Sequence, residues 1–84
     1  MIPLYGFLEG DTMGLLILAE PDDTAATLVE KVQASASPRV APRAGLSVTW
    51  RGRRLDPDLT VAEAGMPALD RFSVGGTPGQ GEAR

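Results

Sequence analysis

The sequence contains no cysteine and no histidine. Without cysteine the chain can form no disulfide bond, no thiolate metal site and no thiol nucleophile. Without histidine it lacks the commonest metal ligand and the side chain best suited to acid–base catalysis near neutral pH. The serine hydroxyls therefore have no histidine base beside them, and nucleophilic catalysis has no support. We expect no catalytic, metal-binding or cofactor-binding residue in this chain.

Long apolar segments are also missing. The longest apolar run, Leu15 to Ala19, is far too short to span a bilayer. The opening MIPLYGFLEGD has no basic region and no extended apolar stretch, so it does not resemble a signal peptide. These features predict a cytoplasmic protein that does not bind membranes. Its 84 residues provide for one small domain.

The charges that are present are separated along the chain, and their sum is −3. Residues 1–30 contain acidic side chains and no lysine or arginine, whereas residues 31–54 contain only basic ones. Such separation can create a positive patch that docks on an acidic protein surface, or it can be solvated loop charge. Nucleic acid is a poorer partner, because the total is acidic and no aromatic residues alternate with the arginines.

The first half of the chain predicts a hairpin followed by a helix. Alternation over Ile2 to Leu8 favours a strand, and residues 9–12 form a turn cluster. The apolar run from Met13 to Ala19 predicts a second strand that is buried on both faces or covered by a partner on one. Asp23 or Thr24 can cap a helix that Pro38 ends. The helix carries an apolar stripe for packing on the sheet, formed by Ala25, Leu28, Val29, Val32 and Ala36.

The second half predicts shorter elements. A strand carries Leu46, Val48 and Trp50, and after a turn at Gly52 the chain can return as a short strand at Leu55. Thr60 to Glu63 has the spacing of a capping box. A last strand spans residues 70–74, and residues 75–84 are a glycine-rich flexible tail. We therefore predict an α+β domain over residues 1–74, with a mixed sheet of four or five strands and one packed helix.

Two stretches point to a fold family. TWRGRRL resembles the aromatic-x-Gly-x-x-Leu step of ubiquitin-like chains, and LTVAEAGM resembles the short helix that follows it. The resemblance covers about residues 1–74 and implies a ubiquitin-like β-grasp domain. It does not fix the function, because one fold serves many functions.

A narrower resemblance is to the small B (gamma) subunit of bacterial multicomponent diiron monooxygenases, such as the toluene and isoprene monooxygenases. The segments PLYGFLEGD, VEKV, RVAPRAG and LTVAEAGMPALDRFSV carry it. It implies a non-catalytic accessory subunit that docks on the large hydroxylase subunit, beside a second, smaller subunit. The large subunit would hold the diiron centre and oxidise an aromatic or alkene hydrocarbon. This chain would then bind no small molecule. The glycine-rich tail departs from the family pattern.

Arginine and aromatic side chains are the candidate interface residues. Arginine pairs bidentately with carboxylates, and aromatic residues act as anchors at interfaces. Tyr5 and Phe7 share the strand face opposite to Leu4 and Leu8. The candidate set is Tyr5, Phe7, Arg39, Arg43, Trp50, Arg51, Arg53 and Arg54.

An alternative function follows from Val74-Gly75-Gly76. A di-glycine after the last strand is the reactive end of ubiquitin-like modifiers and sulfur carriers. Further residues follow Gly76 in this chain, so its carboxylate would exist only after processing. The chain could thus be a free-standing ubiquitin-like adaptor or a di-glycine modifier.

Overall fold

Alternating apolar residues and one amphipathic stretch fold into a sheet covered by a helix. The computed structural model describes residues 1–11, 14–37 and 44–76. The elements are, in chain order, β1 (Ile2–Leu8), β2 (Gly14–Ala19), α1 (Ala25–Ala36), β3 (Leu46–Trp50), β4 (Arg53–Arg54), α2 (Val61–Ala64) and β5 (Arg71–Gly76). The prediction of an α+β fold with a mixed sheet and one packed helix is confirmed, with five strands in the described part of the chain.

The first and last strands lie side by side at the centre of the sheet. The strand order is β2-β1-β5-β3-β4, and β1 and β5 are parallel. The other neighbouring strands are antiparallel. The parallel pair aligns Tyr5 with Arg71 and Phe7 with Ser73. This long-range pairing decides which side chains meet on each face of the sheet.

Helix α1 packs on one face through its predicted stripe. Thr24 caps the helix, because its side-chain oxygen accepts a hydrogen bond from the Thr27 amide at 3.2 Å. Leu28 and Val32 are buried against the sheet. The helix lies close to the sheet at Gly6 of β1, where an added Cβ would lie 2.8 Å from Val32 Cγ2. A side chain at this position would push the helix away from the sheet.

The short helix α2 has the capping box that the sequence predicted. The Thr60 side chain accepts from the Glu63 amide, and the Glu63 carboxylate accepts from the Thr60 amide, each at 3.0 Å. Gly65 ends the helix with φ of 80°, a left-handed conformation that glycine adopts without strain. The amide of Val61 donates to the Asp23 carbonyl at 2.8 Å, which joins α2 to the start of α1.

Two predicted boundaries are corrected. Strand β4 comprises Arg53–Arg54, just before Leu55, which is buried. Strand β5 continues to Gly76, two residues past the predicted end of the last strand at Val74. Gly75 and Gly76 pair with Ser47 and Leu46 of β3, and the Gly76 amide donates to Glu9 Oε1 at 2.9 Å. The backbone ladder and this carboxylate hold glycines that the sequence assigned to a flexible tail.

Some predictions fall outside the described residues. These are the remaining tail at 77–84, the connection at 38–43 with Arg39 and Arg43, and Met13 at the predicted start of the second strand.

Candidate protein-binding surface

The face of the sheet turned away from α1, which we call the open face, carries large apolar side chains. Tyr5 and Phe7 of β1 are 42% and 37% exposed. Leu16 and Leu18 of β2 are 56% and 50% exposed. We call these four residues the apolar patch. Burial of β2 on both faces is therefore wrong: Ile17 and Ala19 enter the core, and the face that carries Leu16 and Leu18 is exposed.

Strand register brings the apolar patch together. Tyr5 lies directly opposite Leu16 in the β1–β2 pair, and Phe7 lies opposite Gly14. The Phe7 ring lies against Gly14, since a Cβ there would be 2.8 Å from Phe7 Cζ. Directly paired side chains on one face of an antiparallel pair are close enough to touch. The patch is therefore a nearly continuous apolar surface.

Two further exposed apolar residues lie at one end of the patch. Met1 precedes β1, with its ammonium 3.8 Å from Glu20 Oε1. The Leu69 amide donates to the Pro3 carbonyl at 2.6 Å, and Leu69 has φ of 67°. A positive φ is uncommon and unfavourable for a residue such as leucine. Within the described residues, every strongly exposed large apolar side chain thus lies on or beside the β1–β2 hairpin. Such clustering is typical of interaction surfaces.

The other half of the open face is polar and basic. Arg71 of β5 lies level with Tyr5, and Arg54 of β4 lies opposite Thr49. Both arginines are exposed, and neither forms an ion pair with a carboxylate of the described chain. Arg54 was a predicted interface residue, and Arg71 was not.

Trp50 and Arg51 are already engaged within the fold. The Trp50 Nε1–H donates to Asp70 Oδ2 at 2.8 Å, and Arg51 Nη2 lies 3.1 Å from the same oxygen. The Arg51 guanidinium also lies 4.7 Å from the centre of the Trp50 ring. The hydrogen bond from Trp50, aided by the Arg71 amide and the Arg51 charge, lowers the pKa of the Asp70 carboxyl against the opposing effect of burial.

The predicted interface residues therefore do not form one surface. Trp50 shares the helix side of β3 with buried Val48, and Arg53 lies opposite Trp50 on that side. Tyr5, Phe7 and Arg54 remain together on the open face. Sequence reasoning missed three residues of the open face: Leu16, Leu18 and Arg71. Strand alternation was the available signal for all three, since each directly precedes a core residue: Ile17, Ala19 or Phe72.

Two other properties of the described residues bear on function. No group of three or more Asp, Glu, His or Cys side chains is placed to hold a metal ion in the described ranges. Among the helices described, none has the length and apolarity needed to cross a membrane.

Solved structures similar to this chain show the fold. A chain of the structure "Toluene 4 monooxygenase HD Complex with Inhibitor 4-Bromobenzoate" is 27% identical with a TM-score of 0.80, over 87% of this chain and 94% of that chain. Ubiquitin from Caldiarchaeum subterraneum is 22% identical with a TM-score of 0.72, over 87% of this chain and 89% of that chain. A chain of the structure "Molecular Mimicry of SUMO promotes DNA repair" is 19% identical with a TM-score of 0.73, over 88% of this chain and 89% of that chain. The predicted ubiquitin-like β-grasp fold is thereby confirmed.

Sequence comparison separates this chain from other ubiquitin-like proteins. No curated protein matches it in sequence. The family model for "Toluene-4-monooxygenase system protein B (TmoB)" matches residues 1–75, which run from the start of β1 almost to the end of β5. The resemblance found in the sequence is therefore confirmed, and the chain belongs to the toluene-4-monooxygenase system protein B family.

Proposed function

We propose that this chain is a non-catalytic accessory subunit of a multicomponent diiron monooxygenase and that its apolar patch docks on the large hydroxylase subunit. The observation that carries the proposal is the exposure of Tyr5, Phe7, Leu16 and Leu18 together on one face of a hairpin. Membership of the TmoB family supports an oxygenase system as the setting. The similar chain in a toluene 4-monooxygenase complex supports it as well.

The apolar patch has the composition of an interface centre. Burying one large apolar side chain is worth about 1.5–3 kcal/mol relative to leaving it in water. Aromatic residues are enriched at the centres of protein interfaces, where few residues supply most of the binding free energy. Tyr5 and Phe7 also lie on a central strand, so little backbone order must be gained on binding.

The chemistry of the complex is assigned to the partner subunits. Diiron carboxylate bundles use glutamates together with Glu-x-x-His motifs, and this sequence has no histidine. In the proposal, the large subunit, supported by the second subunit, binds the iron and oxidises an aromatic or alkene hydrocarbon. This chain supplies a rigid docking surface and no group to the reaction.

The di-glycine modifier function receives less support. An activated C-terminal glycine must extend freely into an adenylating enzyme, whereas Gly75 and Gly76 pair with β3 in the sheet. The Gly76 amide is also bonded to the Glu9 carboxylate. Processing after Gly76 would leave the new carboxylate at the end of a paired strand.

Co-expression of the tagged chain with the large and second hydroxylase subunits tests the proposal. We expect a stable complex with iron only in the partner subunits. The double variant Leu16→Ser and Leu18→Ser should weaken binding about 30-fold or more, because it makes the patch polar. Ala34→Ser with Ala62→Ser is the matched control, since both alanines are exposed on helices.

The outcomes separate the two functions. Circular dichroism and urea unfolding should show an intact fold in both double variants. Equal binding by the Leu16/Leu18 variant and the native chain would refute docking through the apolar patch. Absence of any complex, together with a native mass that lacks the residues after Gly76, would favour the modifier.

A further inference from the structure

We propose that the partner surface covering the open face carries carboxylates that pair with Arg54 and Arg71, and that these pairs fix its orientation on the sheet. The inference rests on the proposed function and adds the chemistry of the partner. It starts from the arrangement of charged and apolar residues across the sheet.

Strand register orders the open face into two rows that run across the sheet. One row passes from Leu16 of β2 to Tyr5 of β1 and then to Arg71 of β5. The other row starts at Gly14, continues with Phe7, Ser73 and Thr49, and ends at Arg54 of β4. Each row is apolar on the β1–β2 side and reaches an arginine on the β5–β4 side. A docked surface can match both properties in only one orientation.

The charged strand positions of the open face are Arg54 and Arg71, both on its β5–β4 side. Glu9, which follows β1, lies beside Gly75 on the same face, where its carboxylate accepts a hydrogen bond from the Gly76 amide. The chain as a whole has a net charge of −3, so the two arginines form a basic area on an acidic protein. Local charge of one sign selects a partner of the opposite sign and suppresses others.

Arg51, in the turn between β3 and β4, differs from Arg54 and Arg71 because it has a carboxylate partner within the chain. It is bonded to Asp70, whereas Arg54 and Arg71 have no carboxylate partner in the described chain. An arginine fork pairs bidentately with a carboxylate and keeps that geometry at interfaces. Its aliphatic stem can lie on an apolar surface while the charged end reaches the partner. Arg71 beside Tyr5 is placed for this arrangement.

A second copy of the chain fits the open face poorly. In a two-fold dimer the same face meets itself, so each side would bring arginines and apolar residues. The open-face strand positions offer no carboxylate to pair with them, and the Glu9 carboxylate beside Gly75 already accepts a hydrogen bond from the Gly76 amide. Charge complementarity therefore favours a different, acidic protein surface, and we assign it to the hydroxylase.

Charge reversal with a neighbouring control tests the inference. Arg54→Glu and Arg71→Glu change the open face, whereas Arg53→Glu makes the same charge change on the helix side of β4. Binding to the assembled hydroxylase subunits is measured at about 0.1 M and about 1 M salt, over which the Debye length falls from about 10 Å to about 3 Å.

We expect each open-face reversal to weaken binding about 10-fold or more at low salt, mainly through slower association. Arg53→Glu should stay within about two-fold of the native chain. The double variant Arg54→Glu and Arg71→Glu should lose most of the salt dependence that the native chain shows. Arg71→Lys should retain part of the affinity, because it keeps the charge and loses the fork.

The results distinguish this inference from the proposed function. If Leu16→Ser with Leu18→Ser weakens binding while the Arg54 and Arg71 variants behave like Arg53→Glu, the paired carboxylates are refuted and docking stands. If the leucine variant binds normally, docking through the patch fails. Sedimentation showing a dimer of the isolated chain that Arg71→Glu abolishes would assign the face to a second copy and overturn the inference.

Discussion

The two faces of the sheet begin from similar strand patterns and end in different environments. On the helix side of the β1–β2 hairpin, Leu4 and Ile17 are paired and almost fully buried. On the open side, Tyr5 and Leu16 are paired in the same way and remain about half exposed. Folding of the described chain accounts for the first pair, because α1 covers it. It leaves the second pair without a cover.

The faces also differ from one edge of the sheet to the other. The helix side is apolar on every long strand, with Ile17, Leu4, Phe72 and Val48 all buried. The open side changes from leucines on β2 to arginines on β5 and β4. A hydrophobic core requires apolar residues throughout, whereas a recognition surface can use a gradient. The difference is consistent with the proposal that the open face binds a partner.

Paired leucine substitutions give the largest contrast. Leu4→Ala should destabilise the fold by about 2–5 kcal/mol, because it removes buried methyl groups and leaves a cavity beneath α1. Leu18→Ala on the neighbouring strand should change the free energy of unfolding by only about 0.5 kcal/mol, since Leu18 is half exposed. Urea unfolding of the two variants measures both values. A cost for Leu18→Ala close to that for Leu4→Ala would mean that the open face contributes to folding, and the comparison would break.

Glycine-to-alanine substitutions on the two faces of the sheet should give a smaller difference in stability than the leucine substitutions. An added Cβ at Gly6 would meet Val32 Cγ2 at 2.8 Å and Phe72 Cζ at 3.0 Å. Because both groups are packed in the core, Gly6→Ala should cost about 1–3 kcal/mol. Gly14→Ala is the open-face counterpart, and its Cβ would meet the Phe7 ring at 2.8 Å.

The Phe7 ring can turn into solvent, so Gly14→Ala should cost clearly less than Gly6→Ala. It should instead move the Phe7 ring, which changes in the ring chemical shifts of Phe7 would report. Thermal unfolding provides the two stabilities. Equal losses from both substitutions would show that the open face is packed as firmly as the helix face.

Local signals in the sequence were sufficient for most of the fold. The capping pair Thr60 and Glu63, the stripe on α1 and the alternation of β1 each depend on neighbours a few residues apart, and each is confirmed. The TmoB resemblance likewise depends on contiguous segments and is confirmed by the family match. Such features can be predicted because the residues that cause them lie within one helix, strand or segment.

The residues that share the open face could not be predicted from such local signals. The level pairing of Tyr5 with Arg71 joins residues far apart in sequence, and the bond from Trp50 to Asp70 spans 20 positions. Alternation alone assigns residues to two faces and does not say which face the helix covers. Trp50 was therefore grouped with Tyr5 and Phe7, although it lies on the helix side. Only the sheet register separates them.

Acid should weaken the helix side through two carboxylates, and this is the smallest expected effect. Asp23 accepts from Lys31 at 2.6 Å, and Lys31 also donates to the Leu18 carbonyl at 2.8 Å, which joins α1 to β2. The hydrogen bond from Lys31 to the Asp23 carboxylate, assisted by the Glu20 amide and opposed by burial, lowers the pKa of Asp23 below its ordinary value of 3.8. The pKa of Asp70 is lowered from the same value, chiefly by Trp50.

A lowered folded-state pKa stabilises the charged form in the fold. The contribution is fully present above the unfolded pKa near 3.8 and is lost as the pH falls through the lower folded pKa. The Asp23–Lys31 pair should contribute less than about 1 kcal/mol, since the lysine is partly exposed. Urea midpoints between about pH 5 and about pH 3 should therefore fall less in Asp23→Asn with Asp70→Asn than in the native chain. Asp22→Asn controls for the loss of one exposed carboxylate. If the double variant shows the native decline, acid acts elsewhere in the chain, and these two carboxylates do not account for the pH dependence of the helix side.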